Sequence, residues 1–205
     1  AMASVRGVAG DGMSKPLPIH ETFHAFQGEG VHMGRPAFFI RTFGCPIHCP
    51  WCDSAGTWHP DHIPSHVSKM EPDELVHMAS RAKADFVVVT GGEPAVHDLE
   101  PLVSAFTFHG LDVHIETSGA FPFTNELFWI TVSPKDGMTA KQNQHLNANI
   151  NRADELKLII AKPGDVERWI YRVRPYLGPG VEVWLHPEWS QRSNPLVLNA
   201  ITEAV

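Results

Sequence analysis

Short runs of β-branched and aromatic residues recur along the chain, separated by stretches whose apolar positions fall three or four apart. The runs Ala37 to Arg41, Phe86 to Val89, Asp112 to Glu116, Trp129 to Val132, Glu155 to Ile160 and Val181 to Leu185 read as strands. Several are almost wholly apolar, the pattern of parallel strands covered on both faces. Between them, Pro72 begins a helix whose Leu75, Val76 and Ala79 share a face. Leu99 begins a second that Gly110 closes, and Asp165 caps a third. Strands alternating with helices predict an α/β fold, an open partial barrel of about six parallel strands. In such folds ligands sit at the carboxyl ends of the strands, which directs attention to the loops that follow them.

No repeat, low-complexity tract or linker divides the chain, so residues 13–205 are expected to form one domain. The small, patternless residues 1–12 suit a tag remnant or a disordered lead-in. The net charge of -7, from 16 basic and 23 acidic residues, gives no electrostatic footing for nonspecific binding to nucleic acid or an anionic membrane. With no apolar run of membrane length and no secretory signal pattern, a cytoplasmic, small-molecule protein is expected. All three cysteines lie within one eight-residue window, unlike a disulfide framework. In a reducing compartment, clustered thiols mean metal.

The first strand run leads into Cys45-Pro46-Ile47-His48-Cys49-Pro50-Trp51-Cys52, a C-x3-C-x2-C loop. Three thiolates can bind three irons of a 4Fe-4S cluster and leave the fourth iron open to a cofactor or substrate. A closed Cys3His zinc site using His48 is the alternative reading, and with it a zinc-stabilised binding module. Thr90-Gly91-Gly92-Glu93-Pro94 follows the second run, where the glycines admit a ligand close to the backbone and Glu93 offers an acceptor for a cationic amine. Ser133-Pro134-Lys135 follows another run with a hydroxyl and an ammonium, and Glu116-Thr117-Ser118-Gly119 ends a further one with polar side chains. His59, His62 and His66 fit an extended, exposed stretch interrupted by Pro60 and Pro64, and are assigned no role.

The cysteine loop resembles the cluster motif of the radical S-adenosylmethionine (SAM) superfamily. More narrowly, Phe26-Gln27-Gly28-Glu29-Gly30, Phe39-Ile40-Arg41-Thr42 and Cys52-Asp53-Ser54 resemble the 7-carboxy-7-deazaguanine synthase family, from about Glu21 to about Gln191. The resemblance implies a 4Fe-4S cluster on Cys45, Cys49 and Cys52, with SAM chelated by the open iron and cleaved to a 5'-deoxyadenosyl radical. It implies SAM contacts from Trp51, Cys52, Asp53, Gly92, Glu93, Glu116, Ser133, Pro134 and Lys135. His186 joins that group, although the family commonly has Gln at that position. Phe26, Gln27, Gly28, Arg41 and Thr90 would bind substrate, with Arg41 on its carboxylate, and Ser54 would bind Mg2+.

The reaction so implied converts 6-carboxy-5,6,7,8-tetrahydropterin into 7-carboxy-7-deazaguanine with loss of ammonia, on the route to queuosine. The resemblance further implies a reductant such as flavodoxin and a homodimer. Within the superfamily the alternative is an activating enzyme that places a radical on a partner protein, which would leave Arg41, Ser54 and the Gln27 segment without a purpose. The resemblance also implies, beyond a helix such as Asn194 to Ala204, another strand and a short tail that helps to close the substrate pocket, whereas this sequence stops at Val205.

Overall fold

The computed structural model describes residues 15–123 and 128–205, so the expectation for residues 1–12 lies outside the described residues. Among the described residues, eight strands, numbered in chain order, form one sheet in the order β3-β1-β2-β4-β5-β6-β7-β8. Six of them correspond to the runs read from the sequence: β2 (Pro36–Thr42), β4 (Phe86–Gly91), β5 (Asp112–Thr117), β6 (Phe128–Val132), β7 (Glu155–Ile160) and β8 (Glu182–Pro187). These six pair in parallel. The sheet is nevertheless mixed. β1 (Leu17–Phe26) runs antiparallel to β2, and the three-residue β3 (Ser68–Met70) runs antiparallel to β1. The expected parallel partial barrel is thus extended at one edge by two antiparallel strands.

The period of two along each strand divides the side chains between two faces. On the outer face Phe38, Ile40, Val87, Val89, Val113, Ile115, Leu156 and Leu158 join the main core, covered by helices. On the inner face Ala37, Phe39, Phe86 and Val88 form a smaller cluster with Phe23 and Ala25 from β1. Polar side chains that share the inner face therefore converge on the barrel interior, where the strand ends collect them.

Among the described residues, five α-helices accompany the sheet: α1 (Pro72–Ala82), α2 (Glu100–Phe108), α3 (Ala140–Arg152), α4 (Asp165–Val173) and α5 (Pro195–Glu203). α1 starts with Pro72 at its first turn, sets Asp73 and Glu74 against the positive end of its dipole, and stops at Lys83 in the left-handed region. α3 begins with a reciprocal capping box between Thr139 and Gln142. Asp165 is not the cap expected of it but the first helical residue. Its carboxylate accepts from Ala161 N and Lys162 N at 3.0 and 3.1 Å, fastening the turn that leads into α4. Among the described residues, no helix is long and apolar enough to cross a membrane.

Candidate active site

A cavity of about 380 Å³ opens at the carboxyl ends of the parallel strands. One wall is the cysteine loop, which leaves β2 through Phe43 and Gly44. Phe43 N donates to Pro18 O at 2.8 Å and Gly44 N to Thr57 O at 3.0 Å, tying the root of the loop to β1 and to the turn behind it. Cys45, Cys49 and Cys52 all line the cavity as free thiols. Burial raises the Cys45 pKa and pushes that of Cys49 up to about 11, against the pull of Lys135, so metal loading must displace protons from these thiols. Three reduced sulfurs on one loop facing one cavity form a donor set that fits a 4Fe-4S cluster with one iron left to a ligand. The His48 ring stacks on Trp58 at 4.5 Å and, unlike the three thiols, does not line the cavity.

The glycine turn after β4 lies against this loop. A Cβ at Gly92 would stand 2.2 Å from Gly44 O, so only glycine allows the two backbones to approach so closely. Glu93 is 1% exposed and its carboxylate is occupied. One oxygen accepts from Ala95 N at 3.1 Å and Thr117 Oγ1 at 2.5 Å, and the other from Ser118 N at 2.8 Å and from the Ser118 hydroxyl. Each oxygen has two lone pairs, so an amine ligand would have to displace one of these donors. Glu93 lines the cavity and ties the ends of β4 and β5 together, its carboxylate holding these donors at the place where the sequence expects an acceptor for a cationic amine.

Ser133, at the end of β6, accepts from Lys135 Nζ at 2.7 Å, and that ammonium lies 5.2 Å from the Trp51 ring centroid. Burial lowers the Lys135 pKa, and neighbouring Lys157 lowers it further. Trp51, Asp53, Ser133 and Lys135 all line the cavity, whereas Pro134 is buried and does not.

Opposite the thiols, Gln27 Nε2 donates to Glu116 Oε1 and Thr90 Oγ1 to Glu116 Oε2, each at 3.1 Å. Glu116, grouped with the SAM contacts from the sequence, thus stands with Gln27 and Thr90. Lys157 Nζ bonds Glu29 Oε2 at 2.5 Å. Burial alone would lower the Lys157 pKa, but Glu116 and Glu29 outweigh it and hold the ammonium charged. Burial would correspondingly raise Glu29, but Lys157 holds it below the usual carboxylate range. His186 Nδ1 lies 3.8 Å from Glu29 Oε1 and lines a small adjoining recess with Trp184, so it belongs with this group and not beside the cysteine loop. Phe26 is 70% exposed and does not line the cavity, because the alternation along β1 turns Phe23 and Ala25 inward and leaves Phe26 at the strand's outer end.

Arg41 projects from β2 with Nε on Glu21 Oε1 at 2.8 Å and NH1 on Ser54 Oγ at 2.5 Å. Ser54 in turn donates to Asp53 Oδ1 at 2.9 Å. The stacked rings of Phe23 and Phe39, 4.8 Å apart, give the cavity an apolar surface beside them. Sequence reading passed over Lys157 because it lies within an apolar strand run. The alternation Glu155, Lys157, Ile159 against Leu156, Leu158, Ile160 was the available signal. The stretch from His59 to His66 follows a short 3-10 turn, Ala55–Thr57; its His62 and His66 are exposed as expected, but its first part is a turn that brings Trp58, His59 and His62 into ring contact and is not extended.

The family profile described as the radical SAM superfamily matches residues 39–128. A protein of Synechocystis sp. named 7-carboxy-7-deazaguanine synthase is 45% identical over 172 residues, covering 84% of this chain and 78% of the relative. The protein of that name from Escherichia coli K12 is 37% identical over 171 residues, covering 73% and 74%. The crystal structure of QueE from Escherichia coli superposes with a TM-score of 0.73 at 30% identity, covering 91% of this chain and 88% of that one. Neither the activating enzyme nor the zinc module is favoured by these relatives. Sequence, backbone and the placement of the thiol loop agree, and the chain belongs to the 7-carboxy-7-deazaguanine synthase family of the radical SAM superfamily.

Proposed function

We propose that this chain converts 6-carboxy-5,6,7,8-tetrahydropterin into 7-carboxy-7-deazaguanine with release of ammonia. One observation carries the reading. Three thiols on one wall of a cavity face a web of Gln27, Glu29, Glu116 and Lys157 on the other. A pterin edge alternates N–H donors with a carbonyl and ring-nitrogen acceptors. The carboxylates of Glu29 and Glu116 accept from the former, and Gln27 and Lys157 donate to the latter. The Phe23 and Phe39 rings shelter the heterocycle, and Thr90 adds a hydroxyl at its rim.

A bound cluster and SAM would supply the radical chemistry that removes a hydrogen atom from the substrate. The chain's own work is to position and enclose. Cys45, Cys49 and Cys52 hold the cluster. Trp51, Gly92, Ser133 and Lys135 hold SAM beside it, with Gly92 giving backbone access and Lys135 a positive charge for the carboxylate. Arg41 turns its guanidinium to the substrate carboxylate, a planar match that lysine lacks. Ser54 would offer its hydroxyl oxygen to Mg2+, an ion that needs few protein oxygens because it retains several waters.

Further parts of the reading rest on family likeness and physical setting. A low-potential reductant such as flavodoxin reduces the cluster, and two chains pair as a homodimer. The protein acts in the cytoplasm, where the thiols stay reduced. Residues 13–205 form one domain, a reading supported among the described residues by the single sheet and by a core cluster with members from Leu17 to Val197. The decisive experiment supplies carboxytetrahydropterin, SAM, Mg2+ and reductant anaerobically to cluster-loaded protein. Deazaguanine and ammonia in equal amounts are expected, and their absence with SAM cleavage intact would overturn the reaction while leaving the superfamily chemistry standing.

A further inference from the structure

Glu155 has no part in the reaction above, yet it is a carboxylate 5% exposed inside the barrel. Burying such a group is costly unless hydrogen bonds satisfy it. Its Oε2 accepts from Val31 N at 2.9 Å and its Oε1 from Thr131 Oγ1 at 2.8 Å. Val31 belongs to the connection between β1 and β2, which is far from β7 in the sheet order. Gly30, at φ +72°, passes so near that a Cβ there would lie 2.5 Å from both Glu155 oxygens. The contact thus depends on a glycine in the left-handed region.

A second attachment lies one residue further on. The His32 ring packs 4.5 Å from His114, 4.5 Å from Trp129 and 5.5 Å from Phe86, all on inner-face positions near the starts of their strands. Its Nδ1 bonds Arg35 NH1 at 2.9 Å. The ends of the connection are closed by Gln27 N on Arg35 O at 2.9 Å and Gly34 N on Gln27 O at 2.8 Å. Between these anchors the connection crosses the amino-terminal end of the barrel. It carries Gln27 to Glu116 and Glu29 to Lys157.

We propose that Glu155 and His32 are positioning residues that clamp the 27–35 connection across the barrel, so that Gln27 and Glu29 meet the pterin edge in fixed register. The proposal rests on the substrate assignment above. Glu155→Ala removes the acceptor for Val31. Glu155→Gln restores it, since the amide oxygen can face Val31 N and its NH2 can donate to Thr131 Oγ1. His32→Ala and Gly30→Ala attack the same clamp from the loop side.

The test uses cluster-loaded protein kept anaerobic and combines three measurements: amide hydrogen exchange across residues 27–35, KM for carboxytetrahydropterin, and substrate-independent SAM cleavage with iron content. Glu155→Ala, Gly30→Ala and His32→Ala are expected to speed exchange in the connection and to raise KM about tenfold or more. Iron content and SAM cleavage stay at wild-type levels, and Glu155→Gln returns exchange and KM most of the way. Unchanged exchange and KM in Glu155→Ala, or no rescue by Glu155→Gln, would overturn the clamp. If Glu155→Ala fails to fold, His32→Ala and Gly30→Ala decide by the same readouts. Should the wild type make no deazaguanine, the reaction assignment fails, and the exchange data still report whether the clamp exists.

Discussion

His114 makes the stability of the fold depend on pH in a way that can be calculated. It is 8% exposed on the inner face of β5, stacked 4.1 Å from Phe86 and tilted against His32 at 4.5 Å. Burial first, then the charges of His32 and Arg35, depress its pKa from 6.5 to about 3. The folded protein therefore keeps this ring neutral at pH values where the unfolded chain protonates it. Because the folded pKa lies below the unfolded one, the contribution is complete above pH about 6.5 and is lost as pH falls toward about 3. From pH 7.5 to 5.5 the loss is about 1.4 kcal/mol, the free energy of a tenfold excess of the protonated form in the unfolded state. The assay is anaerobic urea unfolding of cluster-loaded wild type and His114→Phe at both pH values. The phenyl ring keeps the aromatic contact and removes the titration, so the variant should lose about 1.4 kcal/mol less than wild type between them. Parallel losses in the two proteins would refute a buried neutral ring at this position.

Three other outcomes test separate links. Cys49→Ala should purify without its iron and sulfide complement and fail to cleave SAM, as read by metal analysis and by visible absorption, and a full cluster in this variant would show that the thiol assignment is wrong. Arg41→Ala should retain iron and SAM cleavage while KM for the pterin rises about 10- to 100-fold, the range expected for a lost charge-assisted bond. Cluster loss there would mean that Arg41 supports the cysteine loop and not the substrate. Trp169, 1% exposed in α4 with its indole N–H on Ile159 O at 3.1 Å, should cost about 3–5 kcal/mol when cut to alanine, measured by urea unfolding. A loss below about 1 kcal/mol would show that α4 contributes little to the core.

The parallel core was readable in the sequence because runs such as Phe86-Val87-Val88-Val89 are buried on both faces and carry almost no polar residue. β1 escaped notice for the opposite reason. His20, Glu21, Thr22 and His24 interrupt its apolar positions, and its identity as a strand depends on pairing with β2 and β3. β3 is three residues long and has no period to read. α3 is polar along most of its length, with Leu146, Asn149 and Ile150 buried, although Thr139 three residues before Gln142 was a legible start signal. In the site, the motifs that follow strands were visible because loops carry their chemistry in short runs. The partners of Glu116, Lys157 and His186 emerge only once β4, β5, β7 and β8 gather around the connection that carries Gln27 and Glu29, since sequence distance hides which inner faces meet.

The mixed strand order also bears on solubility. An unclosed sheet has two rims of unpaired peptide groups, each able to recruit a foreign strand. At one rim antiparallel additions leave only the short Ser68–Met70 segment, with Lys69 in its middle, as the outermost element. At the other, Glu182–Pro187 begins with a carboxylate and ends with a residue that has no N–H to offer. Edge-on antiparallel pairing of copies therefore sets Lys69 against Lys69 at the first rim and meets Pro187, which donates no hydrogen bond, at the second, so both rims discourage polymerisation while the barrel stays open for chemistry.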